Sequence, residues 1–435
     1  MYYEKLLEKI QNRTAVLGVL GLGYVGLPLA VEKANAGFTV KGFDVQQAKV
    51  DMVNDGHNYI GDVVDGVLAE LVSKGKLVAS TDFSGIADCD AVAICVPTPL
   101  DEHFQPDISY VSESAKQIAK YAHKGMLVVL ESTTYPGTTQ EIIQPLLEEK
   151  GMVVGEDVFL AFSPERVDPG NAVYKTKNTP KVVGGVTPKC GELASSIYKS
   201  VLESDVMVVS SPAVAEMEKI LENTFRNINI ALVNEMAVLC DRMGISVWEV
   251  IDAAKTKPYG YMAFYPGPGL GGHCIPIDPF YLTWKAREYN YHTRLIESAG
   301  EINNAMPEYC VTRISTQLNK VKKPLNGSKV FMLGLAYKPD IDDMRESPSL
   351  LLTDLFREAG CELIYNDPFI PEFKRGGVTL KSTEITAETL ADCDIVVIAT
   401  NHSCYDANFI VEKSPLVFDT RNLTKGIDAD NLERL

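Results

Sequence analysis

The sequence predicts an α/β protein with two Rossmann-like, doubly wound parallel sheets joined by a helical middle that carries a long central helix. Three observations predict this class. Apolar, β-rich runs alternate with helical patterns from about residue 14 to 205, and the alternation resumes at about 319. The intervening pattern is mostly helical, and two segments of the first region are echoed in the third. We therefore expect domains at 1–208, 209–318 and 319–435.

Composition and charge exclude several classes of protein. The chain has 435 residues, 41 basic and 58 acidic side chains and a net charge of −17. This balance argues against a nucleic-acid partner and against attraction to a membrane surface. Nine cysteines without a CxxC pair favour a reduced, soluble, cytoplasmic protein without a metal site. The uncharged apolar run 15–31 holds four glycines and is shorter than a membrane span.

A glycine-rich loop follows the first of the strand-like apolar runs. Five such runs are 15–21, 39–43, 91–96, 127–131 and 158–162. The loop reads Gly-Leu-Gly-Tyr-Val-Gly at 21–26 and precedes a helical pattern, as in dinucleotide-binding turns. Gly21 permits the tight turn, Gly23 lets the backbone approach a pyrophosphate, and Gly26 allows close packing of helix on strand. The helix N-terminus favours the phosphate charge.

Three side chains after later strands extend this predicted dinucleotide site. Asp44 follows the second strand, where a carboxylate accepts hydrogen bonds from a ribose diol and repels a 2′-phosphate. This position favours NAD over NADP. Thr98 and Thr133 follow two further strands, whose carboxyl ends line the ligand crevice in such folds. An ordinary strand–turn–helix with a surface aspartate is the competing interpretation.

The central region is predicted to begin with the long helix. Ser210 or Ser211 can cap it, Pro212 suits its first turn, and Gly244 is a stop signal. A segment rich in Gly, Pro and aromatic residues, 257–280, then interrupts the helical pattern. Because its aromatic residues are costly to expose, we expect a packed, functional loop rather than an ordinary surface loop.

Two sets of catalytic candidates lie in this region. Lys219, Asn223 and Arg226 have the spacing of one helix face, with Lys219 as a candidate acid/base or charge stabiliser. Cys274 follows two glycines and a histidine, a setting that suits an accessible, activated thiol. Asp278 lies four residues later. A solvated helix face and a small buried cysteine are the competing interpretations.

A third polar cluster, 163–170, follows the fifth strand-like run. Its Glu165–Arg166 pair is either a surface salt bridge or a further part of the same cleft. With Lys219, Arg226, Lys338 and Arg345, Arg166 is expected to make one cleft locally positive within an acidic shell, because distant surface charge is screened beyond about 8 Å.

The third region echoes the first at two places. Residues 391–400 match 87–96 in their first four positions, and Met-Leu-Gly-Leu-Ala-Tyr at 332–337 echoes Val-Leu-Gly-Leu-Gly-Tyr at 19–24. Ala336 replaces the second glycine, so this loop cannot copy the dinucleotide-binding mode. Its Lys338 and Arg345 can bind anionic oxygens directly, and a purely structural copy is the alternative.

Six segments together resemble the UDP-glucose/GDP-mannose dehydrogenase family over about residues 15–425. In family order they are GLGYVGLPLA, ESTTYPGTT, SPERVDPG, EMEKILENTFRNINIALVNE, GPGLGGHCIPIDP and LGLAYKPDIDDMRESP. The resemblance implies an enzyme that uses two NAD to oxidise the C6 alcohol of a UDP-sugar to a carboxylate for surface polysaccharide or glycan precursor synthesis. It also implies a homodimer or higher oligomer formed through the long helix.

The resemblance also implies roles for the candidate residues. Cys274 matches the nucleophile that forms a thiohemiacetal and then a thioester, Lys219 matches the catalytic lysine, and Asn223 matches a neighbouring donor. The matches to groups that orient or activate water are Asp278, Glu165 and Thr133. The matches to NAD contacts are Gly21, Gly23, Tyr24, Val25, Gly26, Asp44, Thr98, Thr133 and, as a bridge to the cofactor phosphates, Arg345. The matches to substrate contacts are Arg166, Val167, Lys219, Asn223, Arg226, Gly271, Tyr337 and Lys338.

The choice of sugar is predicted from three segments. SPERVDPG, KPYGYMAFYPGPGLGG and CIPIDPFYLTWKAREY most resemble the branch that acts on UDP-N-acetyl-D-glucosamine. UDP-N-acetyl-D-mannosamine and UDP-glucose are the alternatives. Several relatives carry an arginine that reaches the partner subunit's substrate, but residues 259–265 contain none, and Lys257 or an aromatic residue is the candidate replacement. A two-electron dehydrogenase, which needs no nucleophilic cysteine, and a non-catalytic NAD sensor are the competing functions.

Overall fold

Two structural units divide the chain. A computed structural model describes residues 1–61, 63–101, 105–168, 171, 173–272 and 274–435, with Asp65 described by its backbone alone. The first unit comprises Met1–Glu222 with Phe280–Tyr291, and the second comprises Asn223–Pro279 with His292–Leu435. The boundary lies within the long helix, so both units share the predicted middle region. The three domain boundaries drawn from the sequence stay predictions.

The first unit contains an eight-stranded sheet. Its strands are β1 Val16–Leu20, β2 Thr39–Phe43, β3 Leu77–Ser80, β4 Ala91–Ile94, β5 Leu127–Leu130, β6 Phe159–Phe162, β7 Lys181–Gly185 and β8 Val206–Val209. Their order is β3-β2-β1-β4-β5-β6-β7-β8. Neighbouring described strands run parallel except β6 and β7, which pair antiparallel. The predicted doubly wound parallel sheet is confirmed, with this one reversal.

Helices cover both faces of this sheet. They are α1 Tyr2–Gln11, α2 Gly26–Asn35, α3 Gln47–Asn54, α4 Asp65–Ser73, α5 Ser109–Tyr121, α6 Gln144–Glu148 and α7 Pro188–Val201, with short 3₁₀ and π turns at Phe83–Asp88 and Thr139–Ile143. Leu127 and Val129 belong to one apolar cluster, and Val128 and Leu130 belong to a second cluster. Successive strand residues face opposite sides, so burial of both faces explains why the predicted strands are continuous apolar runs.

Four helices form the middle of the chain. They are α8 Pro212–Met243, α9 Val247–Ala254, α10 Asp278–Ala286 and α11 Arg294–Lys320, with a 3₁₀ turn at Arg287–Tyr289. The long helix is confirmed: α8 begins at the predicted proline and ends before Gly244, whose φ of +68° is a left-handed conformation that suits glycine. The described residues between α9 and α10 contain no helix or strand, as the breaker-rich segment predicts.

The second unit contains a smaller parallel sheet. Its elements are β9 Lys329–Leu333, α12 Pro348–Glu358, β10 Glu362–Asn366, β11 Glu372–Arg375, β12 Val378–Lys381, α13 Ala387–Ala391, β13 Ile395–Ile398, α14 Ala407–Lys413, β14 Val417–Asp419 and β15 Leu432–Arg434. The sheet order is β10-β9-β13-β14-β15, and β11 and β12 form a separate hairpin. Across the described part of the chain, every helix is too short or too polar to cross a membrane.

The sequence echo corresponds to a repeated structural device. Asp90, just before β4, accepts a hydrogen bond from the backbone N–H of Val16 at 2.9 Å, and Lys9 pairs with it. In the second unit, Asp394, just before β13, accepts from the backbone N–H of Lys329 at 3.0 Å, and Lys323 pairs with it. In each unit an aspartate thus fixes the start of the first strand of the repeat.

Candidate active site

One edge of the first sheet gathers the predicted cofactor-site residues. The loop 21–26 follows β1, Asp44 follows β2, and Thr98 and Thr133 follow β4 and β5. Glu165 follows β6. Because β2, β1, β4, β5 and β6 are parallel neighbours, these residues lie at the carboxyl edge of the sheet, where α/β proteins bind ligands.

The glycine loop has the backbone that a dinucleotide requires. Gly21 has φ +87°, and a Cβ added there would lie 2.5 Å from the carbonyl oxygen of Cys95. A Cβ on Gly26 would lie 1.8 Å from the carbonyl oxygen of Gly21. By contrast, no described atom lies within 4 Å of a Cβ built on Gly23. The loop is therefore tight against the protein and open at the position where a pyrophosphate approaches, so these residues fit NAD.

Backbone hydrogen bonds fix Asp44 beside this loop. Its Oδ2 accepts from the N–H of Leu22 and its Oδ1 from the N–H of Gln46, both at 2.9 Å. The side chain is buried, yet each carboxylate oxygen has a second acceptor site. The carboxylate is held in the position expected for a ribose diol. Tyr24 is 43% exposed, and Val25 is the residue before α2.

A buried carboxylate that the sequence analysis missed secures the segment after Thr133. Glu216, on α8, accepts hydrogen bonds from the N–H of Gly137 at 2.5 Å and from the Thr139 hydroxyl at 2.6 Å. Burial raises the pKa of Glu216, and these hydrogen bonds partly oppose the increase. The Thr98 carbonyl accepts a hydrogen bond from the Tyr281 hydroxyl. Both predicted threonines therefore lie in segments that other side chains hold.

Glu165 is held by the backbone on one oxygen and by a lysine on the other. Its Oε1 accepts from the N–H groups of Arg166 and Val167, both at 2.8 Å, and its Oε2 lies 3.4 Å from Lys181 Nζ. Burial alone raises the pKa of the Glu165 carboxyl. The Lys181 and Lys219 ammonium groups, with the two N–H donors, outweigh burial and lower this pKa. The carboxylate is therefore ionised and fixed.

Arg166 contacts two acidic residues of α8. Its guanidinium pairs with Glu222 and lies 3.5 Å from Glu218. Burial and the adjacent Glu222 carboxyl raise the pKa of Glu218 to about 7. In Glu222 the effect of burial is outweighed by the hydrogen bond from Arg166, and the pKa is lowered. The Glu165–Arg166 segment is thus part of an interacting charge cluster rather than an isolated surface salt bridge.

On α8, Lys219 and Asn223 are buried, whereas Arg226 is exposed. Within the second unit, Asn223 Nδ2 donates to Asp278 Oδ2 at 2.5 Å. The N–H of Asp278 in turn donates to the carbonyl oxygen of Cys274 at 2.8 Å, and the Cys274 side chain is exposed. The structure therefore brings the predicted nucleophile, Asp278 and Asn223 together.

A buried amide network, which the sequence analysis missed, holds the cysteine-bearing loop. Asn234 Oδ1 accepts from the N–H of Gly267 at 3.0 Å, and its Nδ2 donates to Asn303 Oδ1 at 2.9 Å. Asn303 Nδ2 donates to Asn227 Oδ1 at 2.7 Å. All three amides are buried. The spacing of asparagines along α8 was a signal, because a buried helix face rarely carries amides without partners.

The same loop contacts the glycine loop of the second sheet. A Cβ on Gly271 would lie 2.6 Å from Tyr337 Cβ, and one on Gly272 would lie 3.1 Å from the Tyr337 ring. Lys338 Nζ lies 5.8 Å from the centre of the same ring. The predicted substrate residues Gly271, Tyr337 and Lys338 are therefore neighbours. Arg345 forms a two-point ion pair with Asp343, at 2.9 and 2.8 Å.

Some predicted residues lie outside the described part of the chain, and others are divided between the two units. His273 and residues 169–170 lie outside the described residues. The five predicted cations are divided between the units: Arg166 and Lys219 lie in the first, and Arg226, Lys338 and Arg345 lie in the second. Their convergence on one cleft stays a prediction. All nine cysteines, each within the described residues, are thiols, and those residues contain no cluster of metal-binding side chains.

Three family models match successive parts of the chain. The NAD-binding domain of the UDP-glucose/GDP-mannose dehydrogenase family matches residues 15–202. Its central domain matches 213–305, and its UDP-binding domain matches 331–426. Together these matches assign NAD binding to the first sheet and UDP binding to the second.

Known relatives are similar over most of their length. UDP-N-acetyl-D-glucosamine 6-dehydrogenase of Pseudomonas aeruginosa is 38% identical over 82% of both chains. UDP-N-acetyl-D-mannosamine dehydrogenase of Escherichia coli K12 is 36% identical, over 89% of this chain and 94% of its own. A solved structure of UDP-D-ManNAc dehydrogenase from Pyrococcus horikoshii has a TM-score of 0.87 at 32% identity and covers 96% of this chain and 98% of its own. The chain therefore belongs to the UDP-glucose/GDP-mannose dehydrogenase family and is an NAD-dependent oxidoreductase that acts on a nucleotide sugar.

Proposed function

We propose that the protein oxidises the C6 alcohol of UDP-N-acetyl-D-glucosamine to the carboxylate in two successive two-electron steps. The observation that carries this proposal is the exposed thiol of Cys274, a residue whose backbone carbonyl accepts a hydrogen bond from the N–H of Asp278. A single oxidation to an aldehyde requires no thiol. A second oxidation becomes accessible once a thiolate has captured that aldehyde.

In the proposed reaction, Cys274 forms two covalent intermediates. Its thiolate adds to the C6 aldehyde and gives a thiohemiacetal, whose oxidation gives a thioester. Water then attacks the thioester carbonyl, the C–S bond breaks, and the carboxylate and the Cys274 thiolate are released. The 21–26 loop and Asp44 would hold NAD, which would supply the hydride acceptor for each oxidation.

Buried polar groups act on these intermediates. The Lys219 ammonium group stabilises the oxyanion that develops at C6, an interaction that is strong in a buried, low-dielectric setting. Asn223 is held by Asp278 and donates to the same oxygen. Glu165 is the proposed base for the hydrolytic water, and Thr133 helps to place that water. The ionised state of Glu165 supports this role.

The nucleotide end of the substrate is assigned to the second sheet. Tyr337 and Lys338 offer an aromatic face and a cation for the uridine diphosphate, and Arg345 bridges toward the cofactor phosphates. Arg166, Val167, Arg226 and Gly271 are the further proposed substrate contacts. The 38% identical relative supports N-acetylglucosamine as the sugar. UDP-N-acetyl-D-mannosamine and UDP-glucose are outcomes of the test below.

We also propose a homodimer formed through α8. Large apolar side chains on this helix are exposed at helical spacing: Val214, Met217, Leu221, Phe225, Leu232, Leu239 and Met243. An exposed apolar stripe of this length is typical of a protein interface. We expect light scattering to give twice the 47.7 kDa chain mass, and Leu232→Glu to give the monomer. A wild-type monomer at micromolar concentration would contradict the proposal.

The proposed reaction predicts two NADH for each UDP-sugar consumed. NADH absorbance, measured with limiting UDP-N-acetyl-D-glucosamine, UDP-N-acetyl-D-mannosamine and UDP-glucose, gives both the stoichiometry and the sugar preference. Cys274→Ser is expected to abolish acid formation while NAD affinity stays unchanged. Cys404→Ser, at the other exposed cysteine, is the matched control and keeps full activity. One NADH per sugar with release of an aldehyde would refute the covalent scheme.

A further inference from the structure

Lys181, the first residue of β7, lies at the carboxyl edge of the first sheet because β7 runs in the reverse direction. β7 pairs antiparallel with β6, with Phe162 opposite Gly184. Continuing this register for three residues places Glu165 opposite Lys181, the first residue of β7. In a parallel strand the first residue would lie at the other edge of the sheet, far from the ends of β1 to β6.

Lys181 is held at this position by a buried acid. Its Nζ donates to Glu131 Oε2 at 2.7 Å, and Glu131 Oε1 accepts a hydrogen bond from the Tyr198 hydroxyl. The Lys181 side chain is 7% exposed and that of Glu131 is 0% exposed. Lys33, also buried, lies 5.9 Å from the centre of the Tyr198 ring. Buried charges persist in this way only when they are paired and hydrogen-bonded.

The charge of Lys181 is shared between two carboxylates. Burial favours the neutral amine, but Glu131 and Glu165 outweigh burial, so the pKa of Lys181 is raised and the ammonium group is retained. Glu131 uses one oxygen for Lys181 and the other for Tyr198, and Lys181 Nζ still lies 3.4 Å from Glu165 Oε2. The other groups that face Glu165 are the Lys219 ammonium group, the Arg166 guanidinium and the Cys95 thiol.

We propose that Lys181 is a positioning residue for thioester hydrolysis: fixed by Glu131 and Tyr198, it keeps the Glu165 carboxylate ionised and in one orientation. The inference rests on the proposed function, because it assumes that Glu165 is the base. Water loses a proton to Glu165 as its oxygen bonds to the thioester carbon. The C–S bond then breaks with its electron pair on Cys274. A neutral Glu165 cannot accept that proton, so its charge state controls this step.

The test compares two variants that differ only at Lys181. Glu131→Gln retains the ammonium group opposite Glu165, whereas Lys181→Met/Glu131→Gln removes it without leaving Glu131 as an unpaired buried charge. The acid limb is the fall in hydrolysis rate on the acid side of the pH–rate profile. For the double variant we expect this limb to lie about one pH unit or more higher, the usual effect of losing an adjacent opposite charge. In the double variant the acyl adduct on Cys274, detected by intact-protein mass, should accumulate at about pH 5 and clear as the pH is raised.

A conservative variant and the wild-type enzyme complete the test. Lys181→Arg keeps the positive charge and should retain the acid limb of the wild type. In the wild type, hydrolysis of a preformed adduct should be independent of pH between 5.5 and 7.5, a measurement that holds even if the double variant does not fold. The inference would be overturned by an acid limb of the wild type within that range. It would also be overturned if Glu131→Gln and Lys181→Met/Glu131→Gln had the same acid limb. Failure of the wild type to make two NADH would instead refute the proposed function.

Discussion

The two glycine loops begin alike and diverge within three residues. Gly21 and Gly334 have φ of +87° and +90°, and in each a Cβ would collide with the segment that follows the neighbouring strand. After the first loop, α2 begins at Gly26, so a helix N-terminus faces the loop. After the second, α12 begins only at Pro348. The residues between carry Lys338 and Arg345 instead.

The aspartates that follow the next strand diverge in the same way. Asp44 follows β2, and Asp367 follows β10 at the equivalent position. Both accept hydrogen bonds from the loop backbone, at 2.9 Å from Leu22 and 2.7 Å from Leu335. However, Asp367 Oδ2 also contacts the buried His402, 3.1 Å away. The same frame thus places Asp44 where we predict a ribose contact in the first unit, whereas in the second unit Asp367 serves the fold.

We expect the largest effect from a substitution in the first glycine loop, residues 21–26, which leads into α2. Gly26→Ala puts a Cβ 1.8 Å from the Gly21 carbonyl oxygen, which only backbone movement can relieve. We expect a loss of about 3 kcal/mol in the free energy of unfolding, with loss of NAD binding. Thermal unfolding and NAD titration by fluorescence measure the two.

Gly23→Ala is the matched control for this change. No described atom lies within 4 Å of the added Cβ, so stability should change by less than about 0.5 kcal/mol. The methyl group occupies the approach of the pyrophosphate, and we expect the KM for NAD to rise tenfold or more. Equal losses of stability in the two variants would contradict the assignment of separate roles to these glycines.

The second largest effect should distinguish Asp367 from Asp44. Asp367 accepts hydrogen bonds from four backbone N–H groups and contacts His402, with its bonds divided between the two oxygens. Asp367→Asn replaces one of these oxygens with an NH₂ donor that faces other donors, so we expect it to cost about 2 kcal/mol of stability with an unchanged KM for NAD. Asp44→Asn should instead raise the KM for NAD about tenfold, with a smaller loss of stability. A rise in that KM for Asp367→Asn would break the comparison.

Asp367 also makes the stability of the fold depend on pH. Burial raises the pKa of Asp367, but hydrogen bonds from His402 and backbone N–H groups outweigh burial, so the folded-state pKa lies below the unfolded one. Ionised Asp367 therefore stabilises the fold above pH about 4 and loses this contribution as the pH falls. Asp367→Asn should flatten the acid side of the stability profile, measured as unfolding midpoints from pH 6 to 3.

We expect the smallest effect from the aspartates that the two units have in common, Asp90 before β4 and Asp394 before β13. Asp90 and Asp394 each hold the first strand of a repeat with one backbone hydrogen bond and one lysine. Asn at either position removes the charge and keeps the shape, so each variant should lose about 1 kcal/mol, and the two losses should agree within about 0.5 kcal/mol. A clear difference in their unfolding midpoints would show that only one repeat depends on this device.

Local patterns were sufficient for part of the molecule. The apolar runs of β1, β2 and β4 to β6 and the stop at Gly244 are local signals, and they predicted the first sheet and α8. The antiparallel pairing of β7 was not predicted, because strand direction depends on contacts far along the chain. Lys181 and Glu216 were missed for the same reason: their partners Glu131 and Thr139 lie 50 and 77 positions away.

The buried amide network joins residues that lie far apart in the sequence. Asn234 supports the cysteine-bearing loop, and Asn303, 69 positions later, completes the support. The eight strands of the first sheet, in contrast, end at Val209. Since a chain is synthesised from its N-terminus and domains fold as units, the NAD-binding sheet is complete in sequence before α11 emerges. We therefore expect the nascent chain to form its cofactor sheet before the loop that carries Cys274 is held in place.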